Sequence, residues 1–281
     1  MLHFLCCFFS VFFFLNSLNA NSWLFFWLNS EMGYLSLVPL FFSVVLSLNA
    51  HKAISYFILI SIFSSNIFMI SGLFPQLQDL LLFYFFFKFG CLPFSFWLFS
   101  LFNNISWLVI FFFSTIAKIS LLYISNLSFS HYDFLVYLYI PLNLVCFCFF
   151  LVCWVYSLRG FFCIINISSS CILVCLILFQ GFNSLLVYYI PFLLFSSLLV
   201  FLFYNDFYLN NWHGFLLYLL FGLCLPCSLG IFYKFFSLSV FYLCGFWVTL
   251  FCWFIYSAVE QIYFGKLLIF YYSRGFGFIE I

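Results

Sequence analysis

Four charged residues stand inside long apolar runs: Glu31, Lys88, Lys118 and Lys234. One carboxylate with three amines is an inventory for moving protons, not for making and breaking carbon bonds. A free lysine holds its proton up to ~10.4 and is useless as a relay near neutral pH. Desolvation in a helix bundle lowers that value by several units, and a nearby carboxylate raises it again. Three units correspond to ~4 kcal/mol at ~1.36 kcal/mol per unit. Moving a Glu toward or away from a buried Lys therefore decides whether the amine keeps its proton. The plain alternative is that these groups snorkel to an interface or form a structural ion pair. Lys234, near the end of its apolar run, is the best placed to snorkel. Glu31 and Lys88 lie too deep to reach water easily.

Two of the runs carry helix breakers beside the charge. Lys88-Phe89-Gly90-Cys91-Leu92-Pro93 sets Gly90 and Pro93 just after the amine, and Pro226 and Gly230 precede Lys234 in the same way. An interior proline removes a backbone hydrogen bond and kinks the helix. At membrane depth such backbone is tolerated where it is buried in protein or lines a cavity. Interrupted helices in pairs surround the sites of many transporters.

The elements that hold these residues follow from composition. The chain has 281 residues, 69% hydrophobic and 28% aromatic, with 5% charged and a net charge of +1. Soluble domains carry roughly 25% charged residues, so this chain cannot cover a water-facing surface. A soluble enzyme, a nucleic-acid binder and a disordered tail are excluded. The 53 phenylalanines point to codon bias in a T-rich gene, as in an organelle genome. At ~20 apolar residues per crossing, the chain has room for about ten helices. The polar breaks place them near 2–18, 23–48, 53–73, 80–101, 107–124, 134–156, 161–180, 185–204, 212–236 and 240–259, followed by a tail. The segments lack the two-residue alternation of a barrel. The expected fold is all-α, one transmembrane domain over 1–281, a polytopic bundle of about ten spans. Met1–Leu18 lacks a basic start and a cleavage site and reads as a retained first span. Lys52, Arg159, Lys266 and Arg274 fall on one side under this count, which sets that side and the N-terminus toward the compartment of synthesis.

Other chemistries find little support. Cys224 and Cys227 match C-x-x-C, and Cys171 and Cys175 are one turn apart, but no second ligand pair has zinc or iron–sulfur spacing. His3, His51, His131 and His213 lie at span ends, no two in one span, which argues against a haem. No glycine loop suits a phosphate. Trp23, Trp107 and Trp212 read as interface anchors.

The charged motifs, taken in order, resemble the subunit 2 family of mitochondrial NADH:ubiquinone oxidoreductase (respiratory complex I), antiporter-like membrane proteins. Trp27, Glu31 and Pro39 are similar to that family's Trp…Glu…Pro helix. Ala53-Ile54-Ser55-Tyr56-Phe57 resembles A-I-K-Y-F. Lys88 through Trp97 resembles K-x-G-x-x-P-F-H-F-W, with Ser95 in place of His. Ser114 through Ile119 resembles L-T-W-Q-K-I, and Pro226 through Lys234 resembles P-P-x-x-G-F-x-x-K, with Cys227 for the second Pro. Ser169 stands where the family has His. The resemblance implies an antiporter-like fold with two interrupted helices, shortened at the N-terminus. It implies that Glu31 tunes Lys88, that Lys118 passes the proton on, and that Lys234 stands near the exit. It further implies an inner mitochondrial membrane location with the N-terminus in the matrix. The other membrane-arm subunits, neighbouring antiporter-like ones included, would be its partners together with lipid, and no nucleic acid. NADH, FMN, iron–sulfur clusters and ubiquinone would belong to other subunits, with no cofactor and no metal on this chain. A purely structural scaffold and a stand-alone cation/proton antiporter are the competing readings.

Overall fold

The computed structural model describes residues 2–42, 48–74, 80–124, 133–179, 182–204, 218, 222, 229–243 and 245–277. They are mostly helical, with no strand among them. The order is α1 (Leu2–Leu18), α2 (Trp23–Phe41), α3 (Leu48–Leu73), α4 (Leu80–Lys88), α5 (Phe96–Asn104), α6 (Trp107–Ser114), a 3-10 turn (Ile116–Lys118) and α7 (Ile119–Ile124). Then come α8 (Asp133–Cys153), α9 (Leu158–Phe179), α10 (Phe182–Tyr204), α11 (Leu229–Leu243) and α12 (Trp247–Gly277). Pro226, Cys224, Cys227, His131, His213 and Trp212 lie outside the described residues.

The helices present apolar side chains outward as well as inward. Phe4 is 76% exposed and Ile262 75%, a pattern that suits lipid and not water. By length and composition alone, Ala50–Leu73, Leu158–Leu176 and Leu185–Tyr204 can cross a membrane, and His3–Leu18, Trp107–Leu122 and Leu138–Cys153 are shorter apolar stretches.

The chain forms two compact units, Met1–Tyr132 with Ser169–Phe182, and Asp133–Ser168 with Asn183–Ile281. In the first, α1 packs along α2, and α3 packs on α2, α4 and α5. Lipid tails are as apolar as the side chains, so close packing and not hydrophobicity must hold such helices together. Gly33 permits it: a Cβ there would come within 2.9 Å of the Phe14 ring. Phe14 then meets Tyr34 edge to face at 5.1 Å, a geometry worth about 0.5–1.5 kcal/mol. Trp23 lies flat on Phe68 at 4.2 Å. In the second unit, α12 packs on α8 and α11, with Trp253 stacked on Tyr256 at 5.3 Å and Phe161 on Phe264 at 5.1 Å.

Three expected boundaries need correction. The second span ends at Phe41 and not at 48, directly after Pro39, and α3 begins at Leu48, so Asn49–Lys52 is helical. Ser237–Ser239 is no break, because α11 runs through it. Ser237 Oγ donates to the Lys234 carbonyl at 2.7 Å and Ser239 Oγ to that of Phe236 at 2.8 Å, so the hydroxyls are satisfied within the helix. The chain turns instead at Gly245, whose φ is 72°. Gly245 N–H bonds the Tyr242 carbonyl and Phe246 N–H that of Phe241, at 3.1 and 3.0 Å, a Schellman closure that needs a left-handed residue. Finally, α12 continues to Gly277, so the supposed tail from 261 is mostly helix.

Candidate proton-transfer site

In the first unit, α4 ends where the amine stands. Phe89 N–H still bonds the Phe85 carbonyl at 2.9 Å, and Cys91 N–H reaches back to Phe86 at 3.0 Å. Gly90 between them has φ 62°. This too is a Schellman stop. It leaves Lys88 in the last turn, where the helix dipole favours a cation by about 0.3–1 kcal/mol at an exposed site. The expected interruption at Gly90 and Pro93 is therefore real, spanning 89–95 before α5 begins.

Glu31 projects from the middle of α2 and pairs with Lys88, Oε1 to Nζ 2.7 Å. The Lys88 side chain is 3% exposed and that of Glu31 17%. The Tyr34 ring centroid lies 3.9 Å from the amine and that of Tyr84 5.9 Å. Tyr34 sits one turn beyond Glu31 and Tyr84 one turn before Lys88, so each helix supplies one charge and one ring. Both rings are buried and shield the pair from water. Neither tyrosine was marked by the sequence, where nineteen such residues compete.

Lys118 is held differently. It closes the 3-10 turn between α6 and α7, and it is 1% exposed. No Gly or Pro explains this irregularity. The Phe111 carbonyl accepts from Thr115 N–H at 3.0 Å, Thr115 Oγ1 at 2.6 Å and Ser114 Oγ at 3.1 Å. Hydroxyls that bond back to the preceding turn bend helices; Ser114-Thr115 was the signal available in the sequence. Lys118 Nζ donates to Ser169 Oγ at 2.7 Å. A hydroxyl both accepts and donates, so Ser169 can take a proton from one side and pass one to the other. Ser169→Ala deletes that acceptor in a buried place. It is expected to lower stability by about 1–3 kcal/mol, measured as a lower unfolding temperature of the assembled protein; an unchanged temperature would show that the bond contributes nothing. Nearby, the free thiols of Cys91 and Cys171 approach to 3.3 Å.

In the second unit Lys234 does not snorkel. It lies mid-helix in α11, buried, with Nζ 3.0 Å from Glu260 Oε1 and 3.5 Å from the Ser257 carbonyl. Gly230 occupies the first turn of α11 and is buried. Glu260 is 1% exposed; a break at Ser237–Ser239 would set it in the tail, whereas α12 carries it inside the unit. Tyr256, one turn earlier on α12, donates to Ser168 Oγ at 2.9 Å. Among the described residues no three His, Cys, Asp or Glu side chains gather to hold a metal ion.

The chain is similar in sequence and in fold to known proteins. The chain matches no family model. It is 32% identical to NADH-ubiquinone oxidoreductase chain 2 of Artemia franciscana over 136 residues, 48% of this chain and 43% of that one. With the protein of the same name from Rhipicephalus sanguineus it shares 38% over 88 residues, 29% of this chain and 28% of that one. The match therefore spans less than half the length of these curated relatives. In fold it resembles a chain of respiratory complex I from Thermus thermophilus with bound aureothin, with a TM-score of 0.73 at 17% identity, covering 88% of this chain and 65% of that one. The likeness read from the charged motifs is borne out as a likeness: over part of its length this chain is similar to chain 2 subunits of NADH-ubiquinone oxidoreductase.

Proposed function

We propose that the chain is a proton-translocating, antiporter-like subunit of respiratory complex I, embedded in the inner mitochondrial membrane with its N-terminus in the matrix. Electron transfer from NADH to ubiquinone, with FMN and the iron–sulfur clusters, belongs to other subunits, and neighbouring antiporter-like subunits and lipid surround this one. The observation that carries the reading is the Glu31–Lys88 pair at 2.7 Å, buried where α4 breaks. A break leaves backbone free to shift, and a shift that parts carboxylate from amine changes the amine's proton affinity. Lys118 with Ser169, and Lys234, supply further stations on which a proton can rest.

Lys118→Met tests this, since it keeps chain length and volume while removing the proton site. In the assembled complex, proton transport coupled to NADH oxidation is expected to fall about 100-fold, the lower end for loss of a positioned acid–base group. Full pumping by an assembled Lys118→Met complex would favour the scaffold reading instead.

A further inference from the structure

Glu260 is a buried carboxylate that the path through Glu31, Lys88, Lys118 and Lys234 does not use. Its Oε1 holds Lys234, while Oε2 is buried without a hydrogen-bond partner among the described residues. A buried acceptor left in this way is costly unless a proton or a water meets it. On the same face of α12, two turns earlier, Trp253 Nε1 is a buried donor also without a partner. Between them stands Tyr256, stacked on Trp253 and bonded to Ser168. Positions 253, 256 and 260 recur at helical spacing, so one stripe of α12 carries a donor, a hydroxyl and a carboxylate inside apolar surroundings.

We infer that Glu260 is a proton-holding residue that exchanges one proton with Lys234, a reading that rests on the proton-transfer function proposed above. One N–H bond of the Lys234 ammonium breaks as one O–H bond forms on Oε1. The ion pair becomes a neutral amine and a neutral acid, with no change in net charge. A half-turn of the carboxyl group about its Cγ–Cδ bond carries that O–H away from Lys234, and the same O–H bond then breaks as a water along the Trp253–Tyr256 stripe takes the proton, which restores the carboxylate. Lys234 takes its next proton from the preceding donor. The titratable groups facing Glu260 are Lys234 on α11, Cys148 on α8, with Cys252 beside it, and Tyr256 on its own helix.

Glu260→Gln, assayed in the whole complex reconstituted in vesicles, keeps a hydrogen-bond acceptor for Lys234 and removes the proton site. Coupled proton transport is expected to fall about tenfold or more, with a changed pH profile, and Glu260→Asp should recover part of the rate. A Gln variant with native rate and native pH profile overturns the inference. Glu31→Gln run alongside separates the layers: if it alone is impaired, Glu260 is merely structural, and if both are silent the relay itself is wrong. Native complex treated with a dicyclohexylcarbodiimide probe serves if the Gln variant does not assemble. The reagent adds to protonated carboxyls, so N-acylurea on Glu260, more at lower pH, is the result expected. No label at any pH counts against a protonated state.

Discussion

Glu31→Ala is expected to destabilise the first unit by about 3–5 kcal/mol, the usual loss when one partner leaves a buried ion pair. The measurement is the unfolding temperature and assembled yield of the complex. Lys88→Met should cost less. The reason is the asymmetry of the pair: the Lys88 side chain is 3% exposed and that of Glu31 17%. Removing Glu31 strands the deeper charge, with the Tyr34 ring at 3.9 Å as its remaining support. A cation over a ring contributes about 0.5–2 kcal/mol, too little to replace the carboxylate. Removing Lys88 strands the group that retains some access to its surroundings. Equal losses in the two variants, or none in Glu31→Ala, would show that the ion pair does not govern stability here.

The same pair separates stability from function. Replacing both partners by apolar residues, Glu31→Leu with Lys88→Met, removes both desolvation costs at once, and such swaps are often neutral or stabilising. A scaffold would tolerate the double change. A proton relay would not, because neither residue can then hold a proton. Recovery of assembly without recovery of proton transport is the outcome the relay requires.

What could be read from the sequence follows from which costs are local. A lone charge in an apolar run is visible by its type, so Lys88, Lys118 and Glu31 stood out. Gly90 and Pro93 marked a break because their backbone limits act within a residue or two. The break at Lys118 was hidden, since Ser and Thr bend a helix only when their hydroxyls bond back to it. Ser237–Ser239 misled in the opposite direction: their hydroxyls bond back too, yet α11 continues. That one error moved the final span and concealed Glu260. Partners were the least legible part, because Tyr34, Ser169 and Glu260 meet their lysines only through tertiary packing.

The second large effect belongs to Gly90. Gly90→Ala is expected to cost about 2–5 kcal/mol and to displace Lys88. Two contributions make up the figure. A left-handed backbone disfavours any residue with a Cβ by about 1–2 kcal/mol, and φ at Gly90 is 62°. A new methyl also meets the buried Leu98 side chain, and overpacking costs about 1–3 kcal/mol. Gly245 supplies the internal control. It has φ 72° and the same Schellman closure, with nothing within 4 Å of an added Cβ. Gly245→Ala should therefore show the backbone cost alone, about 1–2 kcal/mol. The excess at Gly90 measures the collision with Leu98. That collision pushes on the turn that ends α4 at Lys88, so proton transport in Gly90→Ala should fall further than stability alone explains, while Gly245→Ala should leave the rate per assembled complex near native. Equal stability losses at the two glycines would mean that Leu98 yields freely, and the turn would then not be what fixes the amine against Glu31.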